Sequence, residues 1–238
     1  MKRIIIIGSS SGIGRSMAEQ WLQKGHRVGV TGRRNELLQE IASVYPGRVE
    51  MACFDVQGAD RVTELEALVS RLGGLDILVI SAGIGLPADD LSWELDKCTI
   101  DTNVEGFTAL ANWGFNHFVL QGHGQLAAIS SVAAHRGGSL APAYNASKAY
   151  QSNYLEGLAI KAHRMKLPIT ITVTEPGFVN TRMALGDGLF WVVPVDKAAR
   201  QIIRAIEGRK RRAFISRRWA LIARIMRLAP FSLYRRFV

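Results

Sequence analysis

Residues 8–14 read Gly8-Ser9-Ser10-Ser11-Gly12-Ile13-Gly14, directly after the run Arg3-Ile4-Ile5-Ile6-Ile7 and at the start of a helical stretch, Gly12–Lys24. A strand, a glycine turn and a helix start in that order make a cradle for a pyrophosphate. Glycine permits the tight turn and lets the anion approach the backbone, while the helix N-terminus attracts its charge. The spacing is G-x-x-x-G-x-G and not the G-x-G-x-x-G of the commonest dinucleotide fingerprint. Its place at a first strand-to-helix junction therefore carries the reading, against a bland serine-rich turn with no ligand.

Downstream, strands and helices alternate. Arg27–Thr31, Arg48–Phe54, Leu75–Ser81, Gln125–Ser130, Ile169–Thr174 and Arg212–Ile215 read as strands from their apolar or alternating runs. Asn35–Val44, Asp60–Leu72, Asp101–Gln121, Pro142–Arg164 and Asp196–Glu207 read as helices. This alternation predicts a Rossmann-type doubly wound parallel sheet, three layers α/β/α, with helices on both faces. No linker or repeat interrupts it before residue 208. Residues 1–215 are expected to form one dinucleotide-binding domain with an integral substrate pocket, and residues 216–238 a basic, apolar C-terminal tail.

Composition narrows the function classes. The chain has 238 residues, 48% hydrophobic and 21% charged, which excludes wholesale disorder. It has no uninterrupted apolar run of membrane-spanning length, and the four isoleucines near the start are too short a core for a signal peptide. Cys53 and Cys98 offer neither a disulfide framework nor metal spacing, and the five histidines are scattered. A reduced, cytoplasmic protein without a metal is expected. The net charge of +10 is uneven: residues 1–199 sum to −1, whereas residues 200–238 hold 12 Lys/Arg against the single Glu207. No nucleic-acid motif accompanies that charge, so nucleic acid is not an expected partner.

A second signal is Tyr144-Asn145-Ala146-Ser147-Lys148. On a helix, i and i+4 share a face, so the Lys148 ammonium is expected to favour the Tyr144 phenolate and lower its pKa. Ser131 lies upstream at the C-terminal end of a predicted strand, where open α/β sheets bind ligands. A lone Tyr-x-x-x-Lys is more often a surface pair, so the company it keeps matters.

With these residues in view, the chain resembles the short-chain dehydrogenase/reductase family over almost all of residues 1–215. The matching pieces come in the family's order. They are the Gly8–Gly14 turn, Asp55-Val56, Ser81-Ala82-Gly83, Asn103-Val104-Glu105-Gly106, Ser130-Ser131, Tyr144 with Lys148, and Pro176-Gly177-x-Val179-x-Thr181. Ile7 stands where the family usually has Thr, and Ile80-Ser81-Ala82-Gly83 replaces its Asn-Asn-Ala-Gly. The resemblance implies hydride transfer between a nicotinamide and a carbonyl or alcohol carbon of a small or lipophilic aldehyde, ketone or alcohol. It assigns the catalytic roles to Asn103, Ser131, Tyr144 and Lys148. Tyr144 exchanges the proton, Ser131 hydrogen-bonds the same oxygen, Lys148 holds the ribose, and Asn103 anchors a water linking Lys148 to solvent. Gly8, Ser10, Gly12, Ile13 and Gly14 fall in the pyrophosphate turn, Asp55 with Val56 at the adenine, and Ala82 with Gly83 against the cofactor backbone. Thr181 is expected near the carboxamide, in one cofactor-binding stretch with Gly177 and Val179. The family's usual four-helix interface implies a homodimer or homotetramer through Asp101–Gln121 and Pro142–Arg164.

NADP(H) is the expected cofactor, with NAD(H) disfavoured. An NAD site places an acid after the second strand, but no acid lies between Glu19 and Glu36, and Thr31-Gly32-Arg33-Arg34 occupies the place. Guanidinium groups at Arg33 and Arg34 suit a 2′-phosphate. The competing reading for the whole chain is a catalytically silent dinucleotide-binding sensor or scaffold of the same fold. His135-Arg136 reads as an exposed loop, Trp93, Trp113 and Phe115 as helix packing, and Met183–Val195 as a substrate loop with hinges at Gly186 and Gly188. In the tail, Trp219–Leu228 reads as a helix with Trp219, Ile222, Ala223 and Met226 on one stripe and Leu221, Ile225 and Leu228 on another. Packing over the pocket or a second subunit is one expectation for it. Peripheral contact with anionic lipid is the other, with Trp219, Phe231, Tyr234 and Phe237 at the interface beside Arg235 and Arg236.

Overall fold

The computed structural model describes residues 1–183 and 190–236; Gly186, Gly188 and Phe237 lie outside them. Seven parallel strands form one sheet in the order β3-β2-β1-β4-β5-β6-β7. They are β1 Arg3–Ile7, β2 Arg27–Gly32, β3 Val49–Cys53, β4 Ile77–Ile80, β5 Gly124–Ile129, β6 Ile169–Pro176 and β7 Arg212–Ile215. Side chains alternate between faces along a strand, and β1 is apolar at every position from Ile4 to Ile7. Ile5 and Ile7 enter one core with Phe107, Phe118 and Leu155; Ile4 and Ile6 enter the other with Met17, Trp21 and Ile203. Burial on both faces explains why this strand is a continuous isoleucine run.

The helices α1 Gly12–Gln23, α2 Asn35–Val44 and α7 Val195–Glu207 serve the second core, and α3 Arg61–Leu72 serves the first. The expected helix Asp101–Gln121 is longer and interrupted. It runs as α4 Trp93–Ile100, one π-helical stretch Asp101–Gly106, and α5 Phe107–Gln121. Ser92 caps its start by accepting from the Leu95 N–H at 3.4 Å. Only Thr99 of α4 is buried, so this segment carries no apolar stripe for a sequence reading to detect. Trp93, expected to pack, is 66% exposed, whereas Phe115 is buried and Trp113 packs against the core.

The strand order reverses between β1 and β4, which opens a cleft at the C-terminal ends of the sheet. One long wall is α6, Pro142–Arg164. The far end is covered by α8, Arg218–Leu228, and the short α9, Phe231–Tyr234. Trp219 and Ala223 of α8 are buried, and Ile222 and Met226 line the cleft. A Cβ on Gly177 would lie 1.9 Å from Trp219 Cε2, so the indole packs directly on the backbone after β6. Packing over the pocket is thus the arrangement of this helix.

Candidate active site

The cleft is continuous, about 1610 Å³, and runs from Arg33 and Arg34 to Tyr144 and on to α8. At its first end the Gly8–Gly14 turn is held by two contacts that forbid side chains. A Cβ on Gly8, at φ +84°, would come within 2.7 Å of Ala82 Cα, and one on Gly14 within 2.2 Å of the Gly8 carbonyl oxygen. Ser9 ties the turn to β2: its N–H donates to the Thr31 carbonyl at 2.8 Å, and its Oγ accepts from the Thr31 N–H at 2.9 Å. No side chain caps the first turn of α1, so its free N–H groups face the cleft as an anion site.

Arg34 donates through Nη2 to Ser10 Oγ at 2.7 Å and Ser11 Oγ at 2.8 Å. Arg33 is exposed and donates to Asp55 Oδ2 at 3.3 Å. Two guanidinium groups therefore lie at the end of the cleft where the pyrophosphate cradle meets β2. Val56, Ala82, Gly83, Gly177, Val179 and Thr181 also line the cleft, as do Gly12 and Ile13. The arrangement fits a nicotinamide dinucleotide: a turn whose Gly8 and Gly14 admit no side chain, a helix N-terminus, and a channel reaching Tyr144.

Of the four residues expected to be catalytic, Ser131, Tyr144 and Lys148 line the middle of the cleft and Asn103 lies behind them. Asn103 sits in the π-helical stretch, fully buried. Its Oδ1 accepts from the Ile84 N–H at 2.9 Å, and its Nδ2 donates to the Ile84 carbonyl at 2.7 Å and Ser147 Oγ at 3.0 Å. The π turn thereby fastens the segment after β4 to α6, a use such bulges often have at functional sites. Ser131 follows β5, and its Oγ accepts from the Ala133 N–H at 3.1 Å, which orients it. Tyr144 lies on the first turns of α6 with Lys148 one turn below.

One electrostatic expectation is corrected here. Burial pushes the Tyr144 phenol above its ordinary value, with the Ser131 hydroxyl acting in the opposite direction. Lys148 does not pull it down, because its Nζ sits 5.7 Å from the ring centroid and donates instead to the Ile129 carbonyl and Gln151 Oε1, each at 3.0 Å. Burial brings Lys148 itself down to about 8. The Asn103 main-chain carbonyl accepts from Gln151 Nε2 at 2.8 Å. Gln151 was invisible in the motif, although its place three residues after Lys148 puts it on the same helix face.

The His135-Arg136 loop is not solvent-facing. His135 Nε2 lies 2.8 Å from Glu175 Oε2, and both side chains are nearly or fully buried. Glu175 Oε1 accepts from Ser152 Oγ at 3.2 Å, and Ser152 meets Ser130 at 2.8 Å. Arg136 Nη1 donates to the Met226 and Ala229 carbonyls, both at 2.7 Å. A buried carboxylate requires such partners, which explains why a polar loop dipeptide turns inward. Among the described residues no group of His, Cys, Asp and Glu is placed to hold a metal.

The short chain dehydrogenase family matches residues 2–187. The chain belongs to the short-chain dehydrogenase/reductase family. An uncharacterized oxidoreductase of Mycobacterium tuberculosis is 33% identical over 248 residues, covering 99% of this chain and 97% of that protein. The NADP-dependent 3-hydroxy acid dehydrogenase of Escherichia coli is 31% identical over 184 residues, covering 74% of this chain and 72% of that enzyme. A short chain dehydrogenase of Burkholderia cenocepacia, solved in complex with NADP, shares the fold at TM-score 0.84 and 19% identity, covering 100% of this chain and 97% of that one. This short-chain dehydrogenase/reductase is an oxidoreductase of CH–OH groups. The far, apolar end of its cleft is built by residues beyond the family match: Trp219, Ile222, Ile225 and Met226 line it.

Proposed function

We propose that the protein is an NADP(H)-dependent reductase and dehydrogenase of aldehydes, ketones or secondary alcohols with apolar substituents. The observation that carries this is one cleft joining Ser131, Tyr144 and Lys148 to the Gly8–Gly14 cradle on one side and the apolar wall of α8 on the other. NADP(H), when bound, supplies or accepts the hydride at the nicotinamide C4. In reduction, Tyr144 gives its phenolic proton to the carbonyl oxygen, and the Ser131 hydroxyl donates to the same oxygen and stabilises its developing charge. A phenol kept protonated by burial suits that donor role. Lys148 holds the ribose with the donor left over from Ile129 and Gln151, and Asn103 holds the backbone around them. Arg33 and Arg34 take the 2′-phosphate, with Asp55 and Val56 beside the adenine. Gly177, Val179 and Thr181 position the nicotinamide end.

The experiment is consumption of NADPH, compared with NADH, over a panel of aliphatic and aromatic aldehydes and ketones of increasing size. Turnover with NADPH and a preference for the larger apolar carbonyls is expected. Tight NADPH binding with no turnover on the whole panel would favour the sensor reading.

The reading extends to where the enzyme works: in the cytoplasm, as a homodimer or homotetramer, with the cleft mouth against anionic lipid. Leu221, Leu228 and Phe231 are exposed beside Arg217, Arg218, Arg224, Arg227 and Arg235. Among the described residues no helix is long and apolar enough to cross a membrane. Each basic residue contributes about 1 kcal/mol near an anionic surface. Co-sedimentation with phosphatidylserine vesicles should occur at low salt and vanish on deleting residues 217–238. No binding at low salt leaves α8 a packing element only.

A further inference from the structure

We propose that Gln151 is a positioning residue for Lys148, clamping its ammonium to the Asn103 main chain through both ends of one side-chain amide. Gln151 is 1% exposed and lies on α6 one turn after Lys148. Its orientation is fixed by donor and acceptor chemistry. The Asn103 carbonyl at 2.8 Å only accepts, so the amide nitrogen must face it; the oxygen then faces Lys148 Nζ at 3.0 Å, which only donates. The flipped amide would set oxygen against oxygen and nitrogen against an ammonium. Lys148 cannot rotate away without orphaning two buried groups.

The surroundings make this clamp matter. Lys148 is 4% exposed, and its described hydrogen-bond acceptors are both neutral, the Ile129 carbonyl and Gln151 Oε1. On α6 the only titratable group facing it is Tyr144. From β6, Glu175 is engaged with Ser152 and His135. From the π-helical stretch, Asp101 pairs with Lys97 and Glu105 with Arg61. From the segment after β4 the neighbour is Gly83. Charge on Lys148 is therefore held by amide and carbonyl dipoles, and Gln151 supplies one of the two. The Asn103 carbonyl therefore anchors Lys148 through the Gln151 amide.

The inference rests on the proposed carbonyl chemistry at this site, and the test separates the two. Gln151→Leu keeps the volume and removes the clamp; Gln151→Glu keeps an acceptor oxygen and adds an anion. The titration midpoint of Lys148 is followed by NMR on protein with isotope-labelled lysine, without substrate, beside the pH profile of kcat/KM. Thermal unfolding and NADPH affinity are measured on the same samples. The Lys148 midpoint, and the alkaline limb with it, should fall by about one pH unit in Gln151→Leu and rise in Gln151→Glu. At about pH 9 this is roughly a tenfold loss of kcat/KM in the leucine variant. If Gln151→Leu does not fold, the direction in Gln151→Glu decides. A Lys148 midpoint unmoved in the folded variants overturns the proposal whether or not any carbonyl turns over. A moved midpoint with no turnover supports the clamp and counts against the proposed carbonyl substrates alone.

Discussion

The guanidinium of Arg136 lies over the ring of Tyr234, 4.6 Å from its centroid, joining the loop after Ser131 to the last helix of the described chain. The Tyr234 hydroxyl donates to the Gly137 carbonyl at 2.7 Å, and Arg136 also bonds the two carbonyls that end α8. The wall of the substrate end is thus latched to the segment that carries Ser131. Arg136→Ala removes the stacking and the cap together. Hydrogen exchange in residues 217–234 should rise, and KM for apolar carbonyls should increase several-fold. NADPH affinity, set at the other end of the cleft, should stay unchanged.

Tyr144→Phe keeps the ring and removes the transferable proton. Turnover should fall by roughly 10²-fold or more with NADPH binding retained. Near-normal turnover in that variant would sink the proposed mechanism.

The pH dependence follows from the directions of the two shifts. Lys148, brought down to about 8 by burial, is charged below that pH and neutral above it. Tyr144, pushed up, keeps its proton across the same range. Carbonyl reduction should therefore be level on the acid side of about 8 and decline as pH rises through it. Profiles of kcat/KM measured in buffers of constant ionic strength check this; a reductive rate that climbs through that range would contradict it.

Arg33→Asp should swing the cofactor preference from NADPH toward NADH. It replaces a cation for the 2′-phosphate with an acid for the ribose hydroxyl, and leaves Asp55 without its arginine partner. Fluorescence titration with both dinucleotides gives the ratio, and an unchanged NADPH affinity would count against the arginine assignment.

Self-association is a prediction for the long helices Asp101–Gln121 and Pro142–Arg164, and exposed apolar side chains on α6 and the adjoining α4 would be its surface. Trp93 and Ile100 of α4 and Tyr150 and Ile160 of α6 are exposed at 66%, 39%, 38% and 55%. Light scattering should give at least twice the 26.2 kDa of one chain, and Ile160→Lys should shift it downward. A single 26.2 kDa species for the unaltered protein rejects the dimer and the tetramer.

The strand–turn–helix opening, the alternation and the Rossmann-type sheet were legible because each is written in local pattern. Ile4 to Ile7 must be buried on both faces, and Gly8 and Gly14 touch backbone that admits no Cβ. That Ser131, Tyr144 and Lys148 would line one cleft was legible through the family resemblance, whose motifs are each local in sequence. What the local pattern lacks is any term for contacts between distant segments. Trp93 reads as packing until its neighbours are seen, and His135 and Arg136 read as solvent-facing until Glu175 and the end of α8 are brought against them. Only the tertiary structure set the direction of the Tyr144 shift, because desolvation depends on everything that surrounds a group and not on the lysine four residues away. Only it joined Gln151 to Asn103, 48 residues apart in sequence, since a buried amide finds its partners by packing and not by spacing.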